Sequence, residues 1–357
     1  MSKAPTQTPE PPLEQPPRRK HGSIRNIIIG VIIILALGVI LIRGDTFFEM
    51  VDKMKQGYLP LLILAFISQI GKYFAQSFGY SFAFRAVGNR EMSHWVCFPL
   101  VFGAFFMNTI APSLNIAGNS LFIEDAHRRG ERPGHATTAC LIMQSSIETG
   151  FLVVMIVGFV ILGASGGLNI GMILAGLVVV VLVGAMVGAV VLSYKSPSTL
   201  QRILTPIEKV AGWFSRKFRK KELPDWAELA SHALGDGAGE LPHHKGRTAS
   251  VYCLSVLASI FELGCFILTG LAFGVHDIPA LLAGYVICVL FTMVAITPMG
   301  LGVVEAMITL VMTLYGVPQV SALAVALVFR GITFWLPFVL GTVLIHFSKA
   351  FKKRPSA

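Results

Sequence analysis

Five ionisable residues stand inside long apolar runs of this sequence: Lys72, Glu148, Glu262, Glu305 and Arg330. Charge at bilayer depth is costly, so such groups face a cavity or an opposite charge. A guanidinium matches phosphate and a carboxylate accepts from an amine. Glu305 paired with Arg330 would therefore suit a phosphate-bearing headgroup. Glu305 also has a simpler use, because a carboxylate in a first helical turn caps free N–H groups and favours the positive pole of the helix. For Lys72, Glu148 and Glu262, structural pairing and cavity lining both stand open. Two Pro/Gly breaks accompany these charges: TIAPSLNIAGNS (109–120), with Pro112, Gly118 and Asn119, and ITPMGLGVVE (296–305), with Pro298, Gly300 and Gly302. Backbone freed by such breaks must be buried in protein or line a wet cavity. Half-helices starting near Asn119 and Val303 would aim positive ends at that cavity, which suits phosphate. The loop glycines would equally serve close helix packing.

The elements that must position these groups follow from composition. The chain has 357 residues, 54% hydrophobic and 13% charged, with 35 glycines, where a soluble domain carries about 25% charge. Mean hydropathy is +0.71. These values describe an integral membrane protein, and at roughly 20 apolar residues per span they leave no room for a second, soluble catalytic domain. The net charge of +10 comes from 29 Lys+Arg against 19 Asp+Glu. It gathers in the ends and one central loop, which suits an anionic lipid face better than nucleic acid. Cys97, Cys140, Cys253, Cys265 and Cys288 lie in apolar stretches without a Cys-x-x-Cys pair, against a disulfide framework, a zinc site or a redox motif. No metal spacing, nucleophile with a base, or nucleotide-binding loop is present, so neither an enzyme nor a cofactor is expected.

Apolar periodicity predicts helices at about 24–42, 59–87, 95–111, 133–163, 169–193, 248–274, 279–296 and 317–346. Short second helices, 119–128 and 303–315, follow the breaks. At ten to thirteen residues these cannot cross a bilayer. The stretches 95–128 and 279–315 therefore read as re-entrant hairpins. Six true spans remain, with both termini cytoplasmic by the placement of Lys and Arg, in the cell (inner) membrane. The first hairpin then opens inward and the second outward.

One offset of 186 aligns Gly88 with Gly274, Phe105 with Phe291, Met107 with Met293, Pro112 with Pro298 and Gly130 with Gly316. Glu262 meets Gln76 under the same offset. Inverted repeats with broken helices at the midplane are a transporter architecture. The expected fold is thus an all-α polytopic membrane protein with two inverted-topology repeats, each holding a re-entrant hairpin. Its parts are a Pro-rich cytoplasmic tail (1–22), a first transmembrane half (24–193), a basic cytoplasmic loop (194–247), a second half (248–347) and a basic tail (348–357).

Within the loop, 198–221 places Leu200, Ile203, Leu204, Ile207, Val210, Phe214 and Phe218 at helical spacing opposite basic residues. That fits a helix on the inner leaflet or one packed on the spans. Arg85 snorkels from the cytoplasmic end of its span, and His243 and His244 read as solvated. Glu124 and Asp125, beside His127, Arg128 and Arg129, suit an inner-face headgroup contact or ordinary solvation.

TPMGLGVVEAMITLVMTLYGVP (297–318) and LVFRGITFWLPFVLG (327–341) resemble the end of the lysylphosphatidylglycerol synthase transmembrane-region family. MNTIAPSLNIAGNS (107–120) resembles its Asn…Pro…Gly-Gly-Glu segment, and the likeness covers roughly 50–347. Asn119 stands where the family often has Glu, and QSSIE (144–148) where it often has Glu-Arg-x-x-Asp. Glu305, Arg330 and Glu148 carry over. The resemblance implies a stand-alone flippase without the synthase domain and does not fix the lipid; the expected partners are membrane phospholipids, anionic or aminoacylated, with a separate lipid synthase as a further candidate. Without an ATPase motif, movement would be downhill or driven by an ion gradient, with protons through Glu148, Glu262 or Glu305 as one route. A non-transporting lipid-binding or partner-binding membrane protein is the alternative.

Overall fold

The computed structural model describes residues 55–89, 91–110, 115–164, 170–195, 199, 201–202, 205–206, 244–294, 300 and 302–347. The chain divides into residues 1–49 and 50–357, and every described residue belongs to the second unit. The expected tail 1–22, the span 24–42, all of the segment 198–221 but 199, 201–202 and 205–206, Pro112, Pro298 and the tail 348–357 lie outside the described residues.

The described residues are helical, with no strand among them. In chain order the helices are α1 (Leu59–Ala86), α2 (His94–Ile110), α3 (Ile116–Arg128), α4 (Pro133–Ala164) and α5 (Ile170–Lys195). After the central loop come α6 (Lys245–Ala272), α7 (Ile278–Val294), α8 (Val303–Leu314), α9 (Gln319–Arg330), a π turn (Gly331–Trp335) and α10 (Leu336–Phe347). Four helices, Leu59–Ala86, Pro133–Ala164, Lys245–Ala272 and Gln319–Leu344, are long and apolar enough to cross a membrane. The last is continuous through the π turn, a wider turn that the apolar pattern of 317–346 did not signal.

Helix ends repeat one device. Gly88, Gly130, Gly274 and Gly316 all have positive φ, between 76° and 95°. Each closes a helix by letting the next N–H reach back five residues: Asn89 to Phe84, Glu131 to Ala126, Val275 to Gly270 and Val317 to Met312, at 3.0–3.1 Å. This is the left-handed cap that glycine takes without steric cost.

α1 and α6 pack along their whole length and run antiparallel. Tyr58 N–H donates to the Ala272 carbonyl at 2.9 Å at one end. Ser68 Oγ donates to the Phe261 carbonyl near the middle. Arg247 donates to the Arg85 carbonyl at 2.8 Å at the other end. α4 runs parallel to α6, since Ser145 meets Tyr252 and Ser146 meets Ser255 at 2.9 and 2.8 Å. This crossing is close because Gly150 has no Cβ: one placed there would lie 2.6 Å from the Ser255 carbonyl oxygen.

The short helices form two hairpins. In the first, Cys97 near the start of α2 lies within electrostatic range of Asp125 and Arg129 at the end of α3, and of Arg85 at the end of α1. Tyr80 stacks on Phe122 at 3.9 Å between ring centroids, fixing α3 to α1. In the second, Tyr315, just past α8, lies in range of Asp277, just before α7; partial burial first, and Asp277 second, raise the Tyr315 hydroxyl above its ordinary range. The first hairpin thus opens at the Arg85 end, and the second at the end where Ala272 meets Tyr58.

Candidate functional site: a layer of charge at mid-height

Midway between the two end contacts of the α1–α6 pair lie about residue 72 of α1 and about residue 260 of α6. Lys72 and Glu262, which the sequence sets inside long apolar runs, meet there in an ion pair whose side chains are each 12% exposed. Beside them, Gln69 Nε2 donates to Tyr73 Oη at 2.9 Å. Gln69 is fully buried, and neither its Oε1 nor Glu262 Oε2 has a hydrogen-bond partner. This Gln69–Tyr73 contribution was missed from the sequence; its signal was a polar residue four positions from a tyrosine in an apolar helix.

Glu305 and Arg330 also meet. Arg330 Nε donates to Glu305 Oε1 at 3.0 Å, with side chains 6% and 11% exposed for Arg330 and Glu305. Glu305 Oε2 accepts the Gly302 N–H at 2.7 Å. One Glu305 oxygen thus caps α8 and the other holds the guanidinium. Arg330 further lies over the Phe334 ring, 4.8 Å from its centroid, a cation–π contact. Gly300 and Gly302, with φ of 73° and 80°, belong to the second break as expected. The Cys288 thiol of α7 lies in electrostatic range of Arg330, Glu262 and Glu305, so the two ion pairs flank one point.

The first break corrects one expectation. The half-helix starts at Ile116, not near Asn119, so Gly118 and Asn119 lie in the first turn of α3. Two features extend the helix backwards. Asn115 takes the left-handed conformation, φ 66°, and the Asn108 side chain of α2 accepts the Gly118 N–H at 2.6 Å. A Cβ at Gly118 would lie 2.8 Å from the Ala104 carbonyl, so glycine here brings α2 and α3 together. Asn119 donates its N–H to the Asn115 carbonyl at 3.0 Å as an ordinary helical residue.

Glu148 has a different setting. Its Oε1 accepts from Gln144 Nε2 at 2.7 Å, while Oε2 is buried without a partner. No ion pair involves it among the described residues. Glu124 and Asp125 pair within α3 with Arg128 and Arg129, and no group of His, Cys, Asp and Glu among the described residues could hold a metal.

Long apolar helices with charge buried at mid-height define a multi-pass α-helical membrane protein. The chain belongs to the lysylphosphatidylglycerol synthase transmembrane-region family, whose profile matches residues 27–341. No curated protein and no solved structure matches it. The family relates the chain to lipid handling in the membrane.

Proposed function

We propose that this protein is a phospholipid flippase, moving headgroups through the mid-height layer between two inverted-topology halves, without catalysing a reaction. The observation that carries the reading is that the two broken-helix hairpins open at opposite ends of the bundle, with the buried Glu305–Arg330 pair at the inner end of the second. Each hairpin enters and leaves at one end, which is what a re-entrant element does. The inverted arrangement draws support from the antiparallel α1–α6 pair and from glycine caps at positions 186 apart, Gly88 with Gly274 and Gly130 with Gly316. Packing agrees: Gly158 of α4 meets Val286 of α7, and the same offset carries these to Leu344 and Leu100, which share one cluster.

Orientation follows from charge. Arg85, Arg128, Arg129, Arg132, Lys245 and Arg247 gather at one end of the helices, so that end is cytoplasmic in the inner membrane by the positive-inside rule. The substrates are anionic or aminoacylated phospholipids, supplied by a separate synthase. Arg330 would take phosphate and Glu305 an amine, with Lys72 and Glu262 lining the path.

The alternative, a lipid-binding or partner-binding protein that moves nothing, is favoured by one fact: both Glu305 oxygens already have internal partners. Translocation of labelled phospholipids in proteoliposomes decides. Wild-type movement that is lost in folded Glu305→Gln and Arg330→Gln variants supports the flippase. No movement of zwitterionic, anionic or aminoacylated lipids by wild type supports the alternative.

A further inference from the structure

Three buried acids were expected to compete as ion carriers, and the structure separates them. Glu262 is bonded to Lys72 and Glu305 to Arg330. Glu148 has only the Gln144 amide. Its second oxygen is out of reach of water and of any donor. A lone carboxylate in such a place is not left charged and unbalanced: a proton or a bound cation neutralises it.

Among the described residues its surroundings supply no balancing charge. α7 carries no charged residue, and α5 carries only Lys195 at its terminus. The charges of α3, Glu124, Asp125, His127 and Arg128, occupy its last turn, and the first two are paired there. α1 and α6 bring Lys72 and Glu262, which hold each other. Their remaining cations, Arg85, Lys245 and Arg247, stand at the cytoplasmic end. His135 pairs with Glu131 in the first turn of α4 itself.

Position adds a second argument. Gly158, Met155, Phe151 and Glu148 follow one another at spacings of three and four along one face of α4, and Gly158 meets Val286 of α7. α4 and α7 run in opposite directions, because α7 begins just after α6 ends and α4 parallels α6. Ten residues back from Gly158 is Glu148; eight residues on from Val286 is Val294, the last described residue of α7. Glu148 therefore lies level, to within about a turn, with the last described turn of α7. The positive pole of α8 is already occupied by Glu305, itself matched by Arg330. Among the described residues, Glu148 is the carboxylate left without a balancing cation at mid-height.

We infer that Glu148, with Gln144 beside it, forms an exchangeable site for a proton or small monovalent cation, and that its occupancy drives lipid movement. The coupling half of this inference rests on the flippase reading; the binding half does not.

The test uses the full chain. Purified wild type and Glu148→Gln are unfolded thermally across a pH series, and in sodium chloride against choline chloride at equal ionic strength. A proton site makes wild type lose stability as pH rises, because the unfolded carboxylate gives up its proton more readily. A sodium site makes wild type more stable in sodium than in choline. Glu148→Gln, uncharged and of the same shape, loses whichever dependence wild type shows. Identical pH and sodium responses in the two proteins overturn the site. Where Glu148→Gln does not fold, Glu148→Asp replaces it, and an unaltered midpoint of the cation response overturns the site equally. In proteoliposomes, a proton or sodium gradient speeds lipid movement by wild type, and the gradient-dependent part falls to background in Glu148→Gln. A gradient effect that survives in the variant overturns coupling. Absence of movement in wild type sinks the flippase reading and coupling with it, while the unfolding series still decides the site.

Discussion

Removing one member of the Glu305–Arg330 pair should cost far more than removing both. The pair is buried, with Arg330 5% and Glu305 8% exposed as whole residues. Breaking such a pair strands an uncompensated charge and costs about 3–5 kcal/mol, whereas replacing both members is often close to neutral. The structure refines this for each variant. Glu305→Gln keeps an oxygen for the Gly302 N–H and removes only the charge facing the guanidinium, so the lower half of that range applies. Glu305→Ala loses the cap as well and costs roughly 1 kcal/mol more. Arg330→Gln strands a carboxylate whose cap bond remains, again about 3 kcal/mol or more. Reversible unfolding in bicelles, followed for the singles and for Glu305→Gln/Arg330→Gln, gives the coupling energy directly. We expect the double variant to recover at least half of the summed loss. A double variant whose loss equals the sum of the singles would show that the two side chains are independent, and the pairing argument would fail.

Three further outcomes follow from other contacts. Gly150→Ala drives a methyl into the Ser255 carbonyl and should cost about 1–3 kcal/mol by the same assay, whereas Gly184→Ala, which meets nothing, should be neutral. Asn108→Ala removes the acceptor for the Gly118 N–H and should cost about 1 kcal/mol, while Asn108→Asp, which keeps an oxygen there, should retain the folded yield that the alanine variant loses. Arg132→Cys and His276→Cys, at exposed positions near the mouths of the two hairpins, should react with an impermeant thiol reagent only from the cytoplasmic and only from the outer side respectively; labelling of both from one side would refute opposed hairpins.

Helices were readable here because bilayer solvent demands long apolar stretches, and Gly or Pro marks their limits: the segment expected at 248–274 is α6, Lys245–Ala272, and that at 59–87 is α1. The Lys72–Glu262 and Glu305–Arg330 pairs were half legible. Their depth followed from counting along the spans, but which charge met which depended on helix order and direction. Where sequence reasoning failed, a side chain from another element had intervened. Asn108 of α2 starts α3 a turn early, and no propensity within 109–120 carries that information. The π turn after Arg330 was invisible for a related reason, since one residue in excess leaves apolar spacing almost unchanged.

That π turn has a mechanical meaning. On its N-terminal side Arg330 grips Glu305 of the second hairpin; on its C-terminal side Phe338 and Gly341 lie on Phe106 and Phe102 of the first. One continuous rod thus grips both hairpins, and its single slack turn is the fulcrum between the grips. Deleting a residue there would swing one grip by about 100° around the rod axis relative to the other. The phase of this lever is set by one amino acid in excess of a regular helix.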